Sequence, residues 1–200
     1  MAVGGNGRFS VGLSRRFAAM PIMRYALLGG FTVFAGASLA AEGIEWRHRA
    51  AHGAVVLTAN PLTTAQRTAF FVARGFPGAA IRPYALACGY SFSMRNTGSK
   101  PVRSMLADWR AIGAGAKAVR LRLPSAWDAD WVQANVSETA RIAFRWAQFQ
   151  AENSLEAGDW IMGMATLESL LTGHFRLVAV YHDDTGPHEI TVEALACLND

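Results

Sequence analysis

Five residues near the C-terminus have types and spacing that suit metal chemistry. Met162-Gly-Met164 sits in a run with strand character. Residues two apart on a strand point the same way, so the two thioethers would present together. Thioethers select Cu(I), and imidazoles suit the same ion; His174, His182 and His188 follow on the next stretch. A copper site built from Met162, Met164, His174, His182 and His188 is therefore one functional reading. The competing reading treats the methionines as core filler and the histidines as exposed turn residues. His182 and His188 flank one turn and would face each other across a hairpin. His48 and His52 are spaced to share a face if their segment is helical.

The chain has two cysteines, Cys88 and Cys197. In an oxidising compartment such a pair forms a disulfide. Closing a loop of about 110 residues would contribute ~4–5 kcal/mol at best. The phase of the last strand opposes this pairing. Ile190, Val192, Ala194 and Ala196 form one side and leave Cys197 with Thr191, Glu193 and Leu195, so a terminal twist or a bulge would have to bring Cys197 round.

Catalytic signatures are absent from the sequence. It has no G-x-S-x-G elbow, P-loop, dinucleotide fingerprint, CxxC or HExxH. Asp128 with Asp130 and Asp183 with Asp184 read as helix-capping and turn residues. Trp109, Trp127, Trp131, Trp146 and Trp160, with Tyr84 and Tyr181, are expected mainly in the core, or on a binding face where exposed. Arg120 and Arg122 alternate with apolar residues and read as an exposed strand face.

These residues must be held by strands. Leu86, Cys88, Tyr90, Phe92 and Met94 alternate with small or polar residues, which predicts a half-buried strand. Asn96–Pro101 is turn chemistry, and Val102–Ile112 returns as a second strand. Val119–Leu123, Trp160–Leu167 (weakened by Gly163), His174–His182 and Glu189–Cys197 are further strands. Ile142, Phe144 and Trp146 alternate as well and predict a strand, although a helical spacing also fits. Helices are expected over Leu62–Arg74, capped by Thr63 or Thr64, and briefly from Ser125, with Trp127 and Trp131 on one face. Phe76-Pro77-Gly78 reads as a break.

The expected fold is mainly β: an antiparallel Ig-like β-sandwich with one or two short helices, after an N-terminal signal peptide. Residues 86–200 form the sandwich, and 41–85 a lead with a short helix. Ser93–Val102, Leu155–Gly158 and Gly173–Val178 resemble phrases of exported bacterial sandwich domains. The likeness is architectural and carries no function.

Residues 1–40 read as the export signal. Four arginines precede an apolar run of about a dozen residues, and Ser38 and Ala40 set a cleavage site before Ala41. All 15 acids lie beyond Ala41, with 19 − 4 = 15 of the basic residues, so the remainder is formally neutral. Neutrality removes the argument for nucleic acid. Membrane attachment is expected only through an uncleaved signal. The combined expectation is a periplasmic or secreted binding or accessory domain without catalytic activity or cofactor, acting on a protein or small ligand. The alternative is a periplasmic copper-binding protein.

Overall fold

The structure, a computed structural model, describes residues 48–198. The signal segment and its cleavage site lie outside them. The described residues form a mainly antiparallel β fold with four short helices.

Strands β1 (His48–His52), β2 (Val55–Pro61) and β3 (Gly89–Asn96) lie side by side. Between β2 and β3 run helices α1 (Thr64–Val72) and α2 (Gly78–Leu86). Next come β4 (Val102–Met105), a 3-10 turn at Leu106–Asp108, β5 (Arg110–Gly113) and β6 (Ala118–Arg122). Helices α3 (Pro124–Gln133) and α4 (Glu138–Ala147) follow. The chain ends with β7 (Glu152–Leu155), β8 (Trp160–Leu167), β9 (His174–Asp183) and β10 (Gly186–Ala196).

The hydrogen-bonded order is β1-β2-β3-β8-β6-β5-β9-β4-β7, with β10 on β9, and every strand pair is antiparallel. Strand β6 links the halves: Ala118–Arg120 pair with β5, and Leu121 and Arg122 pair with β8. At the far side β10 lies alongside β1. One core fills the interior. Alternate residues of β2 (Val55, Leu57, Ala59) and of β3 (Tyr90, Phe92, Met94) meet Leu177, Ala179 and Tyr181 of β9 and Trp109. The period-two pattern read from residues 88–94 is the buried side of β3, beginning at Cys88. Leu86 instead ends α2 and is exposed.

A second core lies on the outer side of β8. Phe71, Phe76, Ile81, Tyr84, Trp127, Trp131 and Phe144 pack together, mostly edge to face, with Met164 against them. The Trp127 indole N–H donates to Thr166 Oγ1 of β8 at 3.0 Å and fastens this helical layer to the sheet. Arg67 is buried at the layer's foot. Its guanidinium donates to the carbonyls of Leu62, Ala85, Ala87 and Gly89, where α2 turns into β3.

Several local expectations change. Residues 141–146 are helical, not a strand. Ser137 accepts from the Ala140 N–H, and only Ala140 and Phe144 are buried, so the alternation of Ile142, Phe144 and Trp146 does not mark a face. The break read at Phe76-Pro77-Gly78 does separate two helices, but α2, which starts at Gly78, was not expected; it forms because Ile81, Tyr84 and Ala85 bury one side despite Pro83. The strand expected over Val102–Ile112 is two strands broken by the 3-10 turn. Helix α3 starts at Pro124, which suits a first helical position, so Ser125 is not its cap. The Thr63 cap of α1 holds, with a reciprocal bond to Gln66.

Gly163 does more than weaken its strand. A Cβ there would lie 2.2 Å from Phe149 N and 2.4 Å from Gln148 C. At this point the chain leaves the helical layer after Phe144 and enters the sheet core at Phe149, crossing against β8. Gln148 bridges Met164, and the Phe149 N–H donates to the Met164 carbonyl at 2.8 Å. Only glycine leaves room for that crossing.

Candidate functional site

Cys88 and Cys197 are bonded, with Cα atoms 5.0 Å apart. The phase conflict is resolved by a bulge. Register slips between Val192 and Leu195, and Ala194 takes the left-handed conformation at φ 58°. One extra residue returns Leu195 to the core, with Cys197 packed against it.

The Met/His set is spread over the molecule. Met162 and Met164 share the outer side of β8, as two strand residues two apart must, but Met164 is packed under the helices while Met162 is 50% exposed. His174 opens β9 and His182 lies near its end, so eight residues of strand, roughly 26 Å, separate them. His182 stands opposite Pro187, and His188 opposite Tyr181, so the two rings do not face each other across the hairpin. His48 and His52 occupy a strand, where four residues span roughly 13 Å, twice the helical separation.

The acidic pairs are engaged locally. Asp128 accepts from Arg141 and Arg145, and Asp130 from Arg122 at 2.5 Å. Asp184 pairs with Lys100 at 2.5 Å. Arg122 is not simply a free strand-face cation, since its guanidinium also lies 3.8 Å above the Trp127 ring.

A cleft of about 900 Å³ opens beside β4 and β7, lined by Arg103, Met105, Glu152, Asn153, His182 and Asp184 among others. His182 is 3.9 Å from Asp108. The one hydroxyl close to an aromatic N–H here, Ser104, donates to the Val180 carbonyl at 2.7 Å and accepts from Trp109 at 2.9 Å. It is held in structure rather than activated. The Thr185 hydroxyl lies near His188 but donates to Asp183 Oδ1 at 2.6 Å, so His188 is not its base. A reacting nucleophile with a base is therefore not assembled at either place.

The surface that stands out is aromatic. Trp109, Trp127 and Trp131 are buried as expected, but Trp146 is 83% exposed and Trp160 59%. Trp160 and Met162 share the outer side of β8, with Arg95 opposite Trp160 in the register. Trp146 is the last residue but one of α4, two residues before Gln148, which bridges the same strand at Met164. Trp160 and Met162 thus share one exposed side of β8, and Trp146 is exposed on the helix that contacts that strand. Sequence reasoning counted these tryptophans with the others. The distinguishing signal was weak: Trp146 is flanked by Arg145 and falls outside the stripe of Ala140 and Phe144.

No family model and no curated protein matches the chain. Among solved structures it is similar to the yjhA protein from Bacillus subtilis, with 14% identity and a TM-score of 0.31. The match covers 46% of this chain and 53% of that one, about half of each. A likeness at this level carries no argument about what the chain does.

Proposed function

We propose that this chain is an exported accessory domain, periplasmic or secreted, that binds a partner protein through the outer side of β8 and the end of α4 and performs no catalysis. Its sheets are read as an immunoglobulin-like sandwich carrying an added helical layer. The observation that carries the reading is the exposure of Trp160 and Met162 on one side of β8, with Arg95 opposite Trp160, and of Trp146 near the end of α4, which contacts that strand. Protein interfaces concentrate these residue types, and truncating a tryptophan at an interface centre typically costs about 2 kcal/mol or more of binding. Export is supported by the Cys88–Cys197 bridge, since such bonds persist outside the reducing cytoplasm, and by the acid-free, arginine-bearing N-terminal stretch. No helix among the described residues is long and apolar enough to cross a membrane.

The test places a photo-crosslinking amino acid at Trp160 and, as control, at Val132, which is 53% exposed on α3. Crosslinking in intact cells should give a discrete adduct from position 160 that disappears with Trp146→Ala. Equal labelling at both positions, or none at 160, would rule out the proposed surface. N-terminal sequencing of the recovered protein checks export, with a start at Ala41 expected.

A further inference from the structure

Two imidazoles meet beside the β9–β10 turn. His52 ends β1 and His188 lies in β10; their ring centroids are 5.7 Å apart, and Tyr181 stacks on His188 at 5.1 Å. Hydrogen bonds fix one nitrogen of each ring. The Tyr181 hydroxyl donates its single proton to the His52 carbonyl at 3.0 Å. At its 3.1 Å contact with His52 Nδ1 it must therefore accept, so Nδ1 carries the proton and Nε2 the lone pair. At His188, Nε2 lies 2.9 Å from Asp183 Oδ1. That carboxylate also accepts from the Thr185 N–H at 2.8 Å and from its hydroxyl. Asp183 Oδ1 thus stands as the common acceptor of these bonds, and its contact with His188 Nε2 is one more that it accepts. His188 Nε2 then carries the proton, and Nδ1 holds the lone pair.

We infer that His52 Nε2 and His188 Nδ1 form a two-imidazole site for a divalent transition ion, copper(II) ahead of zinc(II). Two imidazoles on one ion at ~2.0–2.1 Å place their centroids roughly 5–6 Å apart, which is the spacing present. Both rings already have the outer partners that orient metal-binding histidines: a carboxylate on His188, and a phenol on His52. Imidazole donors suit copper, nickel and zinc, and the stability order of divalent ions puts copper(II) first. His52 is exposed and His188 half-buried, so an ion enters from solvent and water fills its remaining positions. No cluster of three or more histidine, cysteine or carboxylate groups is available among the described residues, so the protein supplies two ligands. The site ties the end of β1 to β10. It uses neither methionine, and it stands independently of the aromatic surface.

The full chain, disulfide intact, is titrated with copper(II) in a weakly coordinating buffer and followed by calorimetry and electron paramagnetic resonance. The expected result is one ion per chain with hyperfine coupling to two imidazole nitrogens. His52→Gln and His188→Gln should each weaken binding at least about ten-fold, and Asp183→Asn about 10–100-fold with both ligands still present. His174→Gln and the paired Met162→Leu, Met164→Leu change should leave affinity unaltered. His52→Gln lies at an exposed strand end, so it reports on the site even where His188→Gln disturbs folding. Absence of a stoichiometric complex would overturn the inference. So would a complex that survives loss of both histidines or one lost with the methionines.

Discussion

Gly163→Ala tests the account of how the two cores are joined. The added methyl carbon would lie 2.2 Å from Phe149 N, 2.4 Å from Gln148 C and 2.5 Å from the Gln148 carbonyl oxygen. All three are backbone atoms, so no side-chain rotation relieves the clash. The crossing segment must retreat by more than an ångström, roughly, to restore ordinary contact. Retreat stretches the 2.8 Å bond from Phe149 N to the Met164 carbonyl, and that bond contributes about 1 kcal/mol. It also withdraws the fully buried Phe149 ring from Trp109, 5.2 Å away between centroids, and overpacking of this kind costs about 1–3 kcal/mol. The sum is about 2–4 kcal/mol, a large share of the 5–15 kcal/mol typical of a domain. Gly78→Ala is the matched control. It opens α2 with nothing within 4 Å of the new methyl, and it should stabilise by about 0.4–1 kcal/mol through the unfolded chain. Urea unfolding by tryptophan fluorescence and far-UV circular dichroism gives both numbers. A loss below about 1 kcal/mol at Gly163 would mean that the crossing does not constrain β8.

Reducing the Cys88–Cys197 bond, or replacing both cysteines with serine, should lower stability by about 3–5 kcal/mol, since the link spans 109 residues; urea unfolding with and without reductant measures it. Arg67→Leu removes the donor shared by four main-chain carbonyls and should cost at least about 3 kcal/mol, read as an earlier thermal midpoint; a neutral result would sink the assigned role. Burial pushes the Tyr84 phenol above its ordinary range, against opposing contributions from Gln148 and Arg67. Its proton is then released more readily from the unfolded chain, so stability is intact below about pH 10 and falls above it. Tyr84→Phe should flatten that alkaline decline in a series of unfolding curves taken at rising pH, and an unchanged slope would count against the burial argument.

What could be read in the sequence was whatever short-range physics decides. Tyr90, Phe92 and Met94 bury one side of a strand because period two leaves them no other common side. Thr63 caps α1 because its hydroxyl accepts from the Gln66 N–H while the Gln66 side-chain oxygen accepts from the Thr63 N–H, so the pair satisfies two free N–H groups. The conflict at Cys197 was visible as a conflict, and of the two resolutions the phase allowed, a terminal twist or a bulge, the chain takes the bulge, a single extra residue at Ala194. Readings failed where distant packing chose between two locally acceptable patterns. Ile142, Phe144 and Trp146 alternate as a strand would, but the helix wins because Phe71, Tyr84 and Trp131 surround Phe144 alone. Gly163 looked like a flaw in a strand until the backbone crossing it became visible.

The candidate sites show the same division more sharply. Met162 and Met164 were paired correctly on one side of β8, yet the helical layer covers one and leaves the other in water, so shared direction did not make a shared site. His188 was considered with His182, its neighbour in sequence, and met His52 instead. His52 arrives from the far end of the described chain because β1 docks beside β10, and no periodicity in either segment encodes that contact. Residues that build a strand announce themselves through spacing, while residues that build a site are chosen by which strands become neighbours. The tautomers of His52 and His188 follow from that neighbourhood alone: one phenol and one carboxylate, each brought by β9, leave the two lone pairs on nitrogens of adjacent rings.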